Sequence, residues 1–335
     1  MIFRTVRAGT LLVAAAVTAL GVNGCGNGFE GSSGGSASDP DKPQVVTAFY
    51  PLQYATERIA GEHAEVSDLT KPGAEPHDLE LGPRDVGTVV QADLAVYLKG
   101  FQPSVDSAVA ESDNGFDVGR FANLQTPSEQ RAGQHGGDAH QDRESHKDHE
   151  GHEHGDGGHE HGGTDPHFWL DPIRYADVAR EIANQLGTAD PDNAKAYDRR
   201  ARDLVADLEQ LDQEYEQGLA SCRNHDLVVS HEAFGYLTAR YGFTQYGITG
   251  LDPHSEPSPR KIAELVSLAR DHQVSAIYHE TLVSEDTART IADEVGVDVA
   301  VLDPVEGLTD DSAGNDYMQV MRSNLQTLQK GQDCT

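Results

Sequence analysis

One long run of apolar residues restricts most strongly what this chain can fold into. Between residues 194 and 219, apolar side chains recur at spacings of three and four, at Ala194, Tyr197, Ala201, Leu204, Leu208, Leu211, Tyr215 and Leu219. This spacing predicts a continuous helix that starts at Asp190, with Asp190 as its N-cap and Pro191 in its first turn. At about 30 residues it would be ~45 Å long. We therefore expect a rigid linking helix over 190–221 that joins two lobes, rather than a long helix within one lobe or a coiled coil.

Short apolar runs alternate with helical patterns on both sides of this helix. We predict strands at 44–50, 65–69, 93–98, 226–230, 274–279 and 297–302. The predicted helices are 51–61, 82–92, 232–241, 261–272, 285–295 and 316–329. Such alternation favours parallel α/β sheets, and 335 residues suffice for two domains. We expect an N-terminal α/β lobe over 43–189 and a C-terminal α/β lobe over 222–335.

The first 42 residues predict export of the chain and its attachment to the membrane, and we do not expect them to form part of the folded lobes. Arg4 and Arg7 precede the small, apolar run 8–22, which is too short to cross a bilayer comfortably. The run leads into VNGC, which resembles the lipobox of bacterial lipoproteins, although Asn23 departs from the usual pattern. We expect residues 1–25 to hold the signal peptide and lipobox, with Cys25 as the lipid anchor to the cell membrane. A simple secretory signal with a chance cysteine is the alternative.

The segment that follows this signal, residues 26–42, is rich in glycine and serine and is expected to be a flexible tether. Export also bears on the remaining cysteines, Cys222 and Cys334, because disulfides persist outside the cytoplasm. We predict that these two form a disulfide, with two buried free thiols as the alternative.

Composition excludes one class of partner. Aspartate and glutamate number 56 against 25 lysines and arginines, which gives a formal net charge of −31. Nucleic-acid binding is not expected, because phosphates must be neutralised by basic side chains. An acidic surface instead attracts cations.

Residues 127–164 are rich in histidine, glycine and acidic residues and nearly devoid of apolar side chains. We expect this His-rich loop to be disordered or loosely ordered. Interleaved imidazoles and carboxylates would bind divalent metal weakly, and a solvated spacer is the alternative. The candidate weak ligands are His135, His140, His146, His149, His152, His154, His159 and His161.

Three other histidines lie in turns or at the ends of predicted strands. His77 lies in KPGAEPHDLELGPRD, His167 in TDPHFWLDP and His231 in VVSHEAFGY. Open α/β sheets collect ligands at the carboxyl ends of strands, and imidazole is a common zinc ligand. A fourth ligand could come from LDPVEGL, which supplies Asp303 and Glu306.

These segments resemble the zinc- and manganese-binding subunits of bacterial ABC importers, also called cluster A-I or metal-binding lipoproteins. The resemblance runs from about 44 to 334 and includes EPHDLELGPRD, DPHFWLDP, DPDNAKAYDRRARDL, SHEAFGYLTARYGF and VLDPVEGL. It implies two α/β lobes with parallel sheets, joined by one long rigid helix, with a metal site in the cleft between them. His77 and His167 would come from the first lobe and His231 from the second. Asp303 falls where manganese-type members place an aspartate, so Asp303 and Glu306 both stay open.

The resemblance also implies a function without catalysis. The chain would capture zinc outside the cytoplasm, as a monomer, and deliver it to an ABC permease with a cytoplasmic ATPase. Three imidazoles favour zinc over the harder manganese. Alternatives are a manganese-binding subunit of the same importer class, a surface adhesin and a zinc hydrolase, although the chain has no HExxH sequence.

Overall fold

The structure, a computed structural model, describes residues 42–134 and 163–335. Cys25 and the eight histidines of the His-rich loop lie outside these residues, so the predictions made for them have no structural counterpart. Among the residues described, no helix is both long and apolar enough to span a membrane.

The first sheet is parallel and has four strands in the order β2-β1-β3-β4. The strands are β1 (Gln44–Thr47), β2 (Glu65–Asp68), β3 (Leu94–Tyr97) and β4 (Gly115–Asp117). The helices between them are α1 (Tyr50–Ala60), α2 (Pro83–Gln91) and α3 (Pro103–Val109). We call this sheet with its helices the N lobe. Its central strands bury nearly every side chain, as expected of a parallel sheet covered on both faces.

The second sheet repeats this arrangement, with four parallel strands in the order β6-β5-β7-β8. The strands are β5 (Asp226–Val229), β6 (Thr244–Gly247), β7 (Ala276–His279) and β8 (Asp298–Val301). The helices are α7 (Gly235–Tyr241), α8 (Pro259–Asp271), α9 (Asp286–Val295) and α10 (Tyr317–Gly331). We call this unit the C lobe. The two sheets confirm the predicted fold class, whereas α3, β4 and β6 were not predicted.

The long helix α6 (Ala194–Leu219) packs against α1, α5 (Pro172–Ala189) and α10 and therefore touches helices of both lobes. Its predicted start was wrong. Asp190 ends the preceding helix α5, and its carboxylate accepts hydrogen bonds from the side-chain amide of Asn193 and from the Tyr197 hydroxyl. Helix α5 was not predicted, although its buried side chains recur at helical spacing. Asp171 begins it by accepting hydrogen bonds from the backbone of Ile173 and Arg174.

The prediction that all of 127–164 is loosely ordered was also wrong at its start, where α4 (Pro127–Gln134) forms. Thr126 and Glu129 cap this helix reciprocally. The Thr126 amide donates to Glu129 Oε2 at 2.7 Å, and the Glu129 amide donates to Thr126 Oγ1 at 3.3 Å. A capping box can therefore start a helix in a segment that has little apolar content.

Two hydrophobic clusters hold the described residues together. The larger contains strand residues of both sheets, such as Val46 and Val229, together with the buried stripe of α6. The smaller lies between the second sheet and helices α8 and α9. Cys222 and Cys334 form a disulfide that ties the end of α10 to the segment after α6.

Candidate metal centre

Four of the predicted site residues meet at one point between the lobes. Each of the four side chains offers one ligand atom, and these atoms all lie within 4.8 Å of one another. The residues are His77, His167, His231 and Glu306. His77 lies between β2 and α2, and His167 precedes the short 3-10 turn Phe168–Leu170. His231 follows β5, and Glu306 follows β8. The carboxyl ends of strands in the C lobe thus face loops of the N lobe.

The histidine side chains converge on one carboxylate oxygen. Glu306 Oε1 lies 3.2 Å from His77 Nε2, 2.7 Å from His167 Nε2 and 3.4 Å from His231 Nε2. The Nε2 atoms of His167 and His231 are 3.3 Å apart. Tetrahedral zinc with bonds of ~2.0–2.1 Å separates its ligand atoms by roughly 3.3 Å. These four separations are therefore close to those of a four-coordinate zinc site, and all ligand atoms of the cluster lie within 4.8 Å of one another.

Two further carboxylates orient the imidazole rings. His167 Nδ1 lies 2.7 Å from Asp165 Oδ1, and His231 Nδ1 lies 2.7 Å from Glu280 Oε1. A proton held on Nδ1 leaves Nε2 free to bind a metal, which is how carboxylates commonly support metal-binding histidines. Asp165 was not predicted as a site residue. Its spacing of two residues before His167 was the available signal.

Burial and the neighbouring polar groups shift the pKa values of the cluster in opposite directions, and the combined effect of the neighbours is the larger. Burial alone would raise the pKa of Glu306, but hydrogen bonds from the three imidazoles hold this pKa well below its usual range. Burial alone would lower the pKa of His231, but Glu280 and Glu306 raise it well above the usual value. The neighbouring carboxylates likewise raise the pKa of His167, so a metal ion that binds here must displace protons from His167 and His231.

One atom of the cluster has no protein partner. Glu306 Oε2 is buried and accepts no hydrogen bond from the described residues. A buried carboxylate oxygen without a partner is costly, and a bound divalent cation would compensate it. Three imidazoles and one carboxylate are a donor set that suits zinc.

Asp303, the other candidate from the same loop, does not join the cluster. Its Oδ1 accepts a hydrogen bond from the Val305 amide at 2.8 Å, and its own amide donates to Asn324 Oδ1 at 3.0 Å. Burial raises the pKa of Asp303 to about 6. Asp303 therefore shapes the turn that presents Glu306.

Access to the cluster is restricted to one side. The His77 side chain is 13% exposed, whereas those of Glu306 and His167 are 1% and 0% exposed. The Phe101 ring packs edge-on against His77, with centroids 4.7 Å apart. A cavity of about 350 Å³ lined by His77 and Phe101 opens beside them. His77 is thus the cluster residue nearest to solvent.

Two parallel α/β lobes and a long helix that contacts both surround a buried set of donors that could hold a metal ion. The sequence matches a family of known proteins over almost its whole described length. Residues 45–331 match the ZnuA family, described as "Zinc-uptake complex component A periplasmic", and the chain belongs to this family. The predicted resemblance is thereby confirmed. The family is one of binding proteins, not of enzymes.

Curated relatives agree in sequence. The "High-affinity zinc uptake system protein ZnuA" of Bacillus subtilis is 34% identical over 323 residues, which cover 92% of each chain. The "Zinc-binding protein AdcA" of Streptococcus pyogenes is 35% identical over 289 residues. These cover 86% of this chain and 55% of AdcA, so the chain spans about half the length of that relative.

Solved structures agree in fold. The Zn(II)-bound ZnuA-like domain of Streptococcus pneumoniae AdcA aligns with a TM-score of 0.68 and 29% identity, covering 87% of this chain and 99% of that domain. The laminin-binding protein Lmb of Streptococcus agalactiae aligns with a TM-score of 0.70 and 28% identity, over 87% of this chain and 99% of Lmb. Lmb is described as a bifunctional protein with adhesin and metal-transporting activity.

Proposed function

We propose that this protein captures zinc outside the cytoplasm and delivers it to an ABC permease that a cytoplasmic ATPase drives. The observation that carries the proposal is the convergence of His77, His167 and His231 on Glu306. These four side chains are the proposed zinc ligands, with zinc as the cargo. Glu306 is preferred to Asp303 as the fourth ligand, since the Asp303 carboxylate is engaged within its own turn.

Zinc is favoured over manganese by the chemistry of the donors. Manganese prefers oxygen ligands, whereas three of the four candidate donors are imidazole nitrogens.

A zinc hydrolase is disfavoured because a protein carboxylate in the fourth position leaves no open position for water. Adhesion is not proposed, although Lmb has that description, because no feature of the described surface specifies a host partner.

Attachment and domain bounds complete the proposal. Residues 1–25 are the signal peptide with the lipobox, Cys25 carries the lipid, and 26–42 form the tether to the membrane. The lobes extend over 43–189 and 222–335, with the linking segment over 190–221, and the protein acts as a monomer.

The test is a competitive titration of protein lacking residues 1–25 against a chelating indicator, with zinc and manganese in parallel. The expected result is one tight zinc site that is lost in both His77→Ala and His231→Ala, with weak manganese binding. The exposed His225, outside the cluster, provides the control His225→Ala, which should keep the site. Equal or tighter manganese binding would make manganese the cargo. A tight zinc site that survives both cluster variants would place it elsewhere.

The His-rich loop has a separate proposed role as a set of weak, alternative zinc sites. Deletion of 135–161 should leave the tight site and remove weak binding above one equivalent. Weak binding should also decline below pH ~6, where imidazoles become protonated. Loss of the tight site on deletion would contradict this division of roles.

A further inference from the structure

Helix α4 contributes a buried polar side chain that lies close to the metal cluster. Gln130 is only 3% exposed, although α4 is otherwise a short, mostly polar helix at the protein surface. The Gln130 side-chain amide donates a hydrogen bond to Asp165 Oδ2 at 2.8 Å. Asp165 is itself 0% exposed. A buried amide and a buried carboxylate are therefore joined directly.

The other oxygen of Asp165 belongs to the metal site. Asp165 Oδ1 lies 2.7 Å from His167 Nδ1 and accepts the backbone amide of His167 at 2.9 Å. Gln130 and His167 thus each form a hydrogen bond with a different oxygen of the Asp165 carboxylate. Fixing one oxygen fixes the plane of the carboxylate, and with it the orientation of the imidazole that the other oxygen holds.

A glycine in the C lobe keeps room for this contact. A Cβ added to Gly235, the first residue of α7, would lie 2.0 Å from Gln130 Oε1 and 2.7 Å from Asp165 Oδ2. On the same helix, the Tyr236 hydroxyl donates to the Asp165 carbonyl oxygen at 2.8 Å. Residues from α4, from the segment before His167 and from α7 therefore close around Asp165.

We infer that Gln130 is a positioning residue for zinc binding, which acts through Asp165 to orient His167. The inference rests on the proposed function, since it assigns His167 as a zinc ligand. Gln130 lies five residues before the start of the His-rich segment 135–162, and Asp165 lies three residues after its end. The contact between Gln130 and Asp165 therefore joins two described residues that flank this segment, and it lies beside His167 of the tight site.

The test compares Gln130→Met with the unsubstituted protein, both lacking residues 1–25. Methionine keeps the length of the side chain but cannot donate a hydrogen bond. Loss of an outer partner of a metal ligand costs about 10–100-fold in metal affinity. Because Gln130 acts through one further residue, we expect about a tenfold loss of zinc affinity. We also expect an altered visible absorption spectrum of the cobalt-loaded protein, which reports ligand geometry.

Two variants accompany this measurement. Glu129→Gln changes the neighbouring exposed residue but keeps an oxygen that can accept the Thr126 amide, so the cap of α4 is retained and affinity and spectrum should be unchanged. Gly235→Ala should displace the Gln130 side chain from the C-lobe side. It should therefore alter the cobalt spectrum in the same direction as Gln130→Met. Thermal unfolding without metal identifies any variant that fails to fold, and the spectrum is read on folded protein.

Unchanged zinc affinity and an unchanged cobalt spectrum in folded Gln130→Met would overturn the inference. A spectrum altered equally by Glu129→Gln would overturn it too, since the effect would then belong to the helix and not to the hydrogen bond. Failure of the proposed function looks different: the unsubstituted protein would then lack a tight zinc site, or would retain it in His77→Ala and His231→Ala.

Discussion

The indole nitrogen of Trp169 donates a hydrogen bond to the carbonyl oxygen of Pro304 at 2.8 Å. Trp169 follows His167 in the N lobe, and Pro304 precedes Glu306 in the C lobe. This bond therefore joins the backbone segments that carry two of the proposed zinc ligands. The Trp169 and His167 rings also lie with their centroids 5.3 Å apart.

Trp169 is the only tryptophan in the chain, so its fluorescence reports on this region alone. We expect zinc to change the emission of protein lacking residues 1–25 and the change to saturate at one equivalent. The same titration of His231→Ala should show no tight phase. An emission change that develops only beyond one equivalent would mean that the zinc site lies away from Trp169.

Glu306 and Asp303 are separable by substitution. Glu306→Gln removes the charge that faces three imidazoles, and we expect zinc affinity to fall by at least about 100-fold. Asp303→Asn keeps an oxygen that can accept the Val305 amide, so we expect a smaller loss, of about tenfold or less. Competition with a zinc chelator measures both. A larger loss for Asp303→Asn than for Glu306→Gln would reverse the assignment of the fourth ligand.

Sequence patterns could predict where the cluster forms but not which carboxylate completes it. His231 follows a predicted strand, and together with the placement of His77 and His167 in turns this indicates a site at the edge of a sheet. The choice between Asp303 and Glu306 depends on contacts that are remote in sequence, above all the hydrogen bond between the Asp303 amide and Asn324. The family resemblance left both open because Asp303 falls where manganese-type members place an aspartate.

The errors in the secondary structure have similar causes. Asp190 was predicted to begin a helix because it precedes a proline and a long apolar stripe. It ends α5 instead, and the helix after it starts at Ala194. Burial of Gln130 could not be predicted from a polar segment either, because it follows from the position of Asp165, which lies 35 residues away in sequence.

Asp68 predicts a pH dependence of stability. Burial raises its pKa from 3.8 to about 7, although Thr47 donates a hydrogen bond to it at 2.7 Å. The folded protein therefore holds the proton more tightly than the unfolded chain. This stabilisation is fully present below about pH 4 and is lost as the pH rises through 7.

The measurement for Asp68 is urea unfolding of metal-free protein at pH 5 and pH 8. Asp68→Asn removes the ionisation, so its stability relative to the unsubstituted protein should rise by about 2–3 kcal/mol between these pH values. Asp298→Asn, an exposed residue in β8, is the matched control. A stability difference that stays constant over this range would contradict the raised pKa.

The disulfide should contribute to stability without affecting zinc. Cys222 and Cys334 are 112 residues apart in sequence, and a cross-link over so long a loop is worth ~4–5 kcal/mol in the chain-entropy model. We expect a double serine variant to unfold at lower urea concentration but to keep its zinc affinity, since neither cysteine belongs to the cluster. Reductant should shift the unfolding midpoint of the unsubstituted protein and not that of the variant. Equal shifts in both proteins would argue against the disulfide.

The larger hydrophobic cluster contains residues of both sheets and of α6. Most of the apolar interior is therefore formed jointly by the two lobes. A fragment that ends after α5 would expose one half of this interior, and a fragment that begins at β5 would expose the other half. We therefore expect that neither lobe folds as an independent module. Heating should unfold the pair in a single cooperative calorimetric transition rather than in two steps.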